Sequence, residues 1–233
     1  GQWTRARCRA MSGQRLSATL RFDQGGSRLR PPALKDAHAR HAGGHANDAE
    51  LRRAEDAAVR AVVAKQEALD LPLLTDGEFR RVNFQDSFIS SVSGFAPTGF
   101  ERRAPADTVR EWNPGFSGPL SPGAMARRPA VERIRLVRNV PLEEYRFSLA
   151  LTARPVKVTL VSPDRVIQRF AYERSRDIYP DIEEFIEDLV GIERQMVAGL
   201  AEAGCPYIQI DAPSYTAYVD PPSLAQMRAR GED

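Results

Sequence analysis

Leu71-Pro72-Leu73-Leu74-Thr75-Asp76-Gly77-Glu78 is a short, continuous apolar run that stops in a polar cluster. An apolar run of this length without alternation is the pattern of a strand buried on both faces, as in a parallel sheet, which places the polar cluster at the strand's C-terminal end. Just upstream, 48–69 reads as a helix: Leu51, Ala54, Ala58, Ala61, Val62 and Ala68 recur at three- and four-residue spacing, and Asn47 or Asp48 can cap its start. The same strand design recurs at 156–161, running into Ser162, Pro163 and Asp164, and at 207–210, running into Asp211, Ala212 and Pro213. Between these two strands, 181–203 carries Ile182, Phe185, Leu189, Ile192, Met196 and Leu200 at helical spacing, with Gly204 where a helix stop belongs.

Strands alternating with helices mean an α/β fold, either a (β/α)8 TIM barrel or an open doubly wound sheet. No dinucleotide fingerprint and no Gly-Lys-Ser/Thr phosphate loop is present, which favours the barrel. Residues 133–140 resume strand-like alternation and 141–151 read as helix. A Pro- and Gly-rich stretch at 94–130 reads as an irregular insertion over the mouth of the fold, and residues 1–18 read as a disordered leader, leaving 19–233 as the folded unit.

The chain has 233 residues, 33 Lys and Arg against 31 Asp and Glu, so its charge is nearly balanced and no basic block predicts nucleic-acid binding. No apolar run approaches the roughly 20 residues that cross a bilayer. Cys8 and Cys205 lie in unlike contexts, which speaks against a disulfide framework and fits a reducing, cytoplasmic compartment. Small-molecule substrates are the expected partners, with self-association left open.

In a parallel barrel the active site lies where the strands end, which nominates Asp76, Glu78, Asp164 and Asp211. Carboxylates gathered at one mouth suit an ammonium-bearing substrate, a metal, or acid and base work, and each Asp can instead cap a following helix. His38, His41 and His45 stand three and four apart, but apart from Asp36 and Asp48 no nearby acid or cysteine completes a metal site, and the segment reads as a solvated helix ending at glycines. Cys205 precedes a strand and reads as a buried structural thiol. Gly115-Phe116-Ser117-Gly118 is one residue short of a nucleophile elbow and has no histidine to serve Ser117.

Leu73-Leu74-Thr75-Asp76-Gly77-Glu78-Phe79-Arg80-Arg81, followed by Gly94-Phe95, resembles the second-strand segment of the cobalamin-independent methionine synthase family. Gly25-Gly26-Ser27 with Arg30-Pro31-Pro32 resembles the family's first strand, Arg154-Pro155-Val156-Lys157 to Ser162-Pro163 its third, and Tyr207 to Pro213 its fourth. The resemblance implies a (β/α)8 barrel and a methyltransferase of methionine biosynthesis that moves a methyl group from a methylfolate-like donor to a thiol such as homocysteine. Carried over to this sequence, Gly26 and Ser27 would donate to the amino acid's carboxylate, while Glu78 and Asp211 would hold its ammonium group. Ala212 stands where the two-domain enzymes have Glu, so the chain is more similar to the short, single-barrel relatives.

In that family zinc activates the thiol, and its ligands begin with a His-x-Cys segment after the fourth strand and its helix. The sequence reaches Asp233 without such a segment. The resemblance therefore implies about the first four β/α units, the N-terminal half of the barrel, with zinc bound in the full-length protein and no zinc ligand in this chain. Two alternatives are a related alkyl-thiol transferase acting on coenzyme M and a fragment inactive until its C-terminal half is supplied.

Overall fold

The computed structural model describes residues 23–81, 86–97, 127–213, 215 and 219–229. The leader at 1–18, Cys8, Ser117 and most of the 94–130 stretch lie outside them. In chain order the elements are α1 (Pro32–Ala42), α2 (Asp48–Ala68), α3 (Asp86–Ile89), β1 (Val92–Phe95), β2 (Ala130–Leu136), α4 (Val140–Leu149), β3 (Lys157–Val161), α5 (Pro163–Ile167), α6 (Ile182–Glu202), β4 (Tyr207–Asp211) and α7 (Pro221–Ala229).

Four extended segments lie side by side in chain order and run parallel. β3 pairs with β4 from Lys157 opposite Tyr207 to Val161 opposite Asp211. On the other side of β3, Leu74 bridges Val156, and beyond that Ser27 bridges Gly77. Backbone bonds Lys157 N to Leu74 O (2.8 Å) and Arg28 N to Gly77 O (3.0 Å) secure these contacts. The 71–78 run is thus an extended segment at the centre of a parallel arrangement, held by single bridges rather than a long ladder. Gln66 of α2 helps: its side-chain amide donates to Thr75 O (2.8 Å) and accepts from Thr75 N (3.1 Å), completing backbone bonds that a neighbouring strand would otherwise supply.

β1 and β2 pair antiparallel, so the 94–130 stretch has regular ends where the sequence suggested an irregular insertion. Gly94 sits at an irregularity in this ribbon with φ +104°, and a Cβ there would lie 2.8 Å from the Ile134 backbone. Only glycine fits.

Two apolar clusters hold the layers. One joins Leu34, Val59 and Val63 of α1 and α2 to Leu74 and Phe79. The larger packs Val158 and Leu160 of β3 against Phe185, Leu189, Met196 and Leu200 of α6, with Phe170 stacked on Phe185 at 3.7 Å between ring centroids. α2 begins with a capping box between Asn47 and Glu50. Its buried face runs through Glu55, Ala58, Val59, Val63 and Gln66 rather than through Ala61 and Ala68, which are exposed.

α6 buries an acid, Glu193, whose Oε1 has no hydrogen-bond partner among the described residues. Burial, with Asp164 adding, pushes its pKa up to about 8 from an ordinary 4.5. The folded chain therefore holds a proton there that the unfolded chain releases above pH 4.5. The stability this proton contributes is complete below that pH and is lost as pH rises through 8. Glu193→Gln is expected to be near neutral at pH 5 and to stabilise the fold at pH 8.5 by about 2 kcal/mol, allowing for partial solvent screening. Urea unfolding at the two pH values measures it, and an effect independent of pH would contradict the assignment.

Candidate functional site

The segments converge at Glu78. Its backbone sits at φ +56°, a left-handed conformation that costs a non-glycine residue roughly 1 kcal/mol or more. It is held there from both sides: Asp76 Oδ1 accepts from Glu78 N (2.9 Å), while Arg30 donates to Glu78 O (3.1 Å) and also to Arg81 O. Strain of this kind at the end of a parallel segment aims one side chain. The Glu78 carboxylate points onto β3, where Oε1 accepts from the Thr159 hydroxyl at 2.6 Å and lies 3.8 Å from Arg81 Nη1.

Arg81 is the hub behind it. It forks onto Glu144 of α4, with Nε 3.2 Å from both carboxylate oxygens and Nη2 2.6 Å from Oε2, and donates to Thr159 Oγ1 (3.1 Å) and Thr159 O (3.0 Å). Glu78, Arg81, Glu144 and Thr159 are each no more than 4% exposed. Burial disfavours the Arg81 cation, but Glu144 by charge and hydrogen bond, with Asp76 and Glu78 behind it, leaves its pKa above the ordinary arginine value. Burial lifts the Glu144 carboxyl and Arg81 holds it back.

Gly26 lies against this cluster. A Cβ built on it would overlap Glu78 Oε1 and sit 2.6 and 2.7 Å from Thr159 Cγ2 and Oγ1. Ser27, by contrast, is exposed. Asp211 is half-buried at the end of β4, and its Oδ1 accepts from Gln209, which pairs with Thr159. The structure thus brings Gly26, Glu78 and β3 into contact and sets Asp211 one strand over on the same face. No hydrogen bond or ion pair joins Asp211 to Glu78. Asp211 lies on an open surface along β4 with Gln209, Ile210, Ala212 and Pro213.

Of the other nominated groups, Asp76 serves the Glu78 backbone rather than a helix, and Asp164 accepts from Ser162 at the start of α5. His38 Nε2 lies 3.2 Å from Phe79 O, and His41 is paired with Asp48 at 2.7 Å. Cys205 is half-buried; burial pushes its thiol up to about 11, and it donates to Tyr207 O at 3.4 Å. Among the described residues no three His, Cys, Asp or Glu side chains form a group that could hold a metal ion. No helix among the described residues is long and apolar enough to cross a membrane.

Sequence reading missed Glu144 and Thr159. The signal for Glu144 was present, because Pro141, Glu144, Tyr145 and Ser148 form one buried helical stripe, and an acid on such a stripe must either meet a buried cation or hold its proton, as Glu193 does. Thr159 carried no signal of its own inside a β-branched strand.

Among known proteins, the chain is 28% identical over 219 residues to the uncharacterized protein YxjH of Bacillus subtilis, covering 93% of this chain and 54% of that protein. It is 26% identical over 191 residues to a methionine synthase of Sulfurisphaera tokodaii, covering 81% of this chain and 50% of that protein. The chain thus spans about half the length of these relatives. A crystal structure from Listeria monocytogenes, assigned as a vitamin-B12 independent methionine synthase, superposes with a TM-score of 0.61 at 25% identity, over 84% of this chain and 52% of its own. The B12-independent methionine synthase of Shewanella sp. W3-18-1 shares the fold, with a TM-score of 0.57 at 21% identity, over 73% of this chain and 45% of its own. The sequence profile of the cobalamin-independent synthase catalytic domain matches residues 30–221, most of the chain, and on that match the chain belongs to the cobalamin-independent methionine synthase family.

Proposed function

We propose that this chain supplies the amino-acid-binding part of a methyltransferase site, in a protein that transfers a methyl group from a methylfolate-like donor to a thiol such as homocysteine. The observation that carries the reading is the Glu78 carboxylate, buried at the end of a parallel segment and bonded at Oε1, while Oε2 has no hydrogen-bond partner among the described residues. An acceptor held in place with an oxygen to spare suits an ammonium group, which has three donors and no acceptor. Asp211, on the same face, would give that ammonium a second acceptor. Ser27 and the backbone at Gly26 would donate to the substrate's carboxylate.

Four parallel segments in chain order, with a polar face formed by Lys157, Thr159, Gln209 and Asp211, support the first four β/α units of a (β/α)8 barrel. Ile210, on the opposite face of β4 from Asp211, is exposed, which leaves apolar surface for further structure to cover in the working enzyme. A sulfonate substrate such as coenzyme M is less well served, because the buried cations here are committed: Arg81 to Glu144, and Lys157 to Asp23 at 2.8 Å.

Glu78→Gln and Asp211→Asn are expected to weaken homocysteine binding by about one to two orders of magnitude each, the worth of one charge-assisted hydrogen bond. Binding of 3-mercaptopropionate, which has no ammonium, should change far less. Calorimetric titration of both ligands on the full-length protein makes the comparison. Equal losses for the two ligands would mean that these carboxylates only organise the loops.

A further inference from the structure

We infer that Thr159 is a positioning residue that sets the preference of this site for thiols bearing an α-ammonium group, an inference that rests on the proposed role of Glu78. Arg81 can only donate, so its Nη1, 3.1 Å from Thr159 Oγ1, makes that hydroxyl an acceptor. The single Thr159 proton is then directed to Glu78 Oε1, 2.6 Å away. The chain Arg81 to Thr159 to Glu78 therefore has one polarity, in which Oε1 must accept.

Two consequences follow for a ligand. The carboxylate's rotation is restricted, since Oε1 is pinned to β3, and Oε2 has no hydrogen-bond partner among the described residues. While Glu78 is ionised its second oxygen can likewise only accept, so the group it receives must donate. An ammonium group meets that requirement; a carboxylate or a hydrogen at the same position does not. Thr159 also separates Glu78 from Arg81, whose Nη1 stays 3.8 Å from Oε1. Without the hydroxyl these two groups are close enough to pair directly, which would draw the carboxylate toward Arg81 and neutralise it for a ligand.

Thr159→Val keeps the shape of the side chain and removes the hydroxyl, whereas Thr159→Ser keeps the hydroxyl. Calorimetric titration of homocysteine and 3-mercaptopropionate on the full-length wild type, both variants and Glu78→Gln tests the idea, with thermal midpoints recorded for each. The expected result is that Thr159→Val loses about tenfold in homocysteine affinity with little change for 3-mercaptopropionate, and that Thr159→Ser restores the preference. If Glu78→Gln loses the preference and Thr159→Val keeps it, this inference is overturned and the role of Glu78 stands. If neither variant loses it, both fall. If Thr159→Ser loses it as fully as Thr159→Val, the hydroxyl is not what positions Glu78, and the inference falls.

Discussion

Arg81→Met is expected to lower the unfolding free energy by about 3–5 kcal/mol, the usual cost of leaving one member of a buried ion pair without its partner. The guanidinium holds three elements together at once: its own turn after Glu78, α4 through the fork onto Glu144, and β3 through the hydroxyl and carbonyl of Thr159. Removing it leaves the Glu144 carboxylate 4% exposed with no cation against it. Glu144→Leu should cost a similar amount, since it strands the arginine instead. The double variant Arg81→Met with Glu144→Leu should recover much of the loss, because it removes both desolvation penalties and fills the site with apolar volume. A urea-denaturation cycle of the four proteins gives the coupling directly. Single variants costing less than about 1 kcal/mol each would show that water screens the pair.

Gly26→Ala is expected to abolish measurable homocysteine binding while costing about 1–3 kcal/mol of stability, the range for overpacking a filled core. The new methyl would take the place of Glu78 Oε1 and crowd both branches of Thr159. The Glu78 backbone cannot yield easily, because Asp76 holds its N–H and Arg30 its carbonyl. The carboxylate must therefore swing away, and its bond to Thr159 breaks. Loss of one charge-assisted contact alone accounts for roughly one to two orders of magnitude in affinity. On the proposed reading, misplacing the ammonium relative to Asp211 would add to this. Titration of the variant, alongside its unfolding curve, distinguishes the two effects. Affinity retained within about threefold in a folded variant would remove Glu78 from the binding site.

The order of elements was legible because periodicity and punctuation agreed. The α6 stripe from Phe185 to Leu200, the β-branched run of β3 and the apolar run ending at Glu78 each specify one conformation. α2 was harder. Its many alanines tolerate either environment, so spacing alone did not reveal which face is buried, and the face chosen in the fold carries Glu55 and Gln66 because Arg80 and Thr75 are there to meet them. The antiparallel ribbon of β1 and β2 was hidden for another reason: its strands are 35 residues apart, and local pattern says nothing about a partner at that distance.

Glu78 and Asp211 could be nominated from the sequence because strand ends are recognisable as the points where apolar runs turn polar, and parallel strands bring those ends to one side. Their surroundings could not. The pairing of Arg81 with Glu144 spans 63 residues and that of Thr159 with Glu78 spans 81. Contacts of that kind depend on which side chains three separate segments bring together, and on the direction in which each hydrogen bond can run. By itself, then, the sequence determined the alternation of strands and helices and the candidate acids at their ends, since both rest on neighbours within one or two turns. Only the tertiary structure decided which oxygen of Glu78 is held, because that depends on a hydroxyl and a guanidinium that chain folding alone brings within reach.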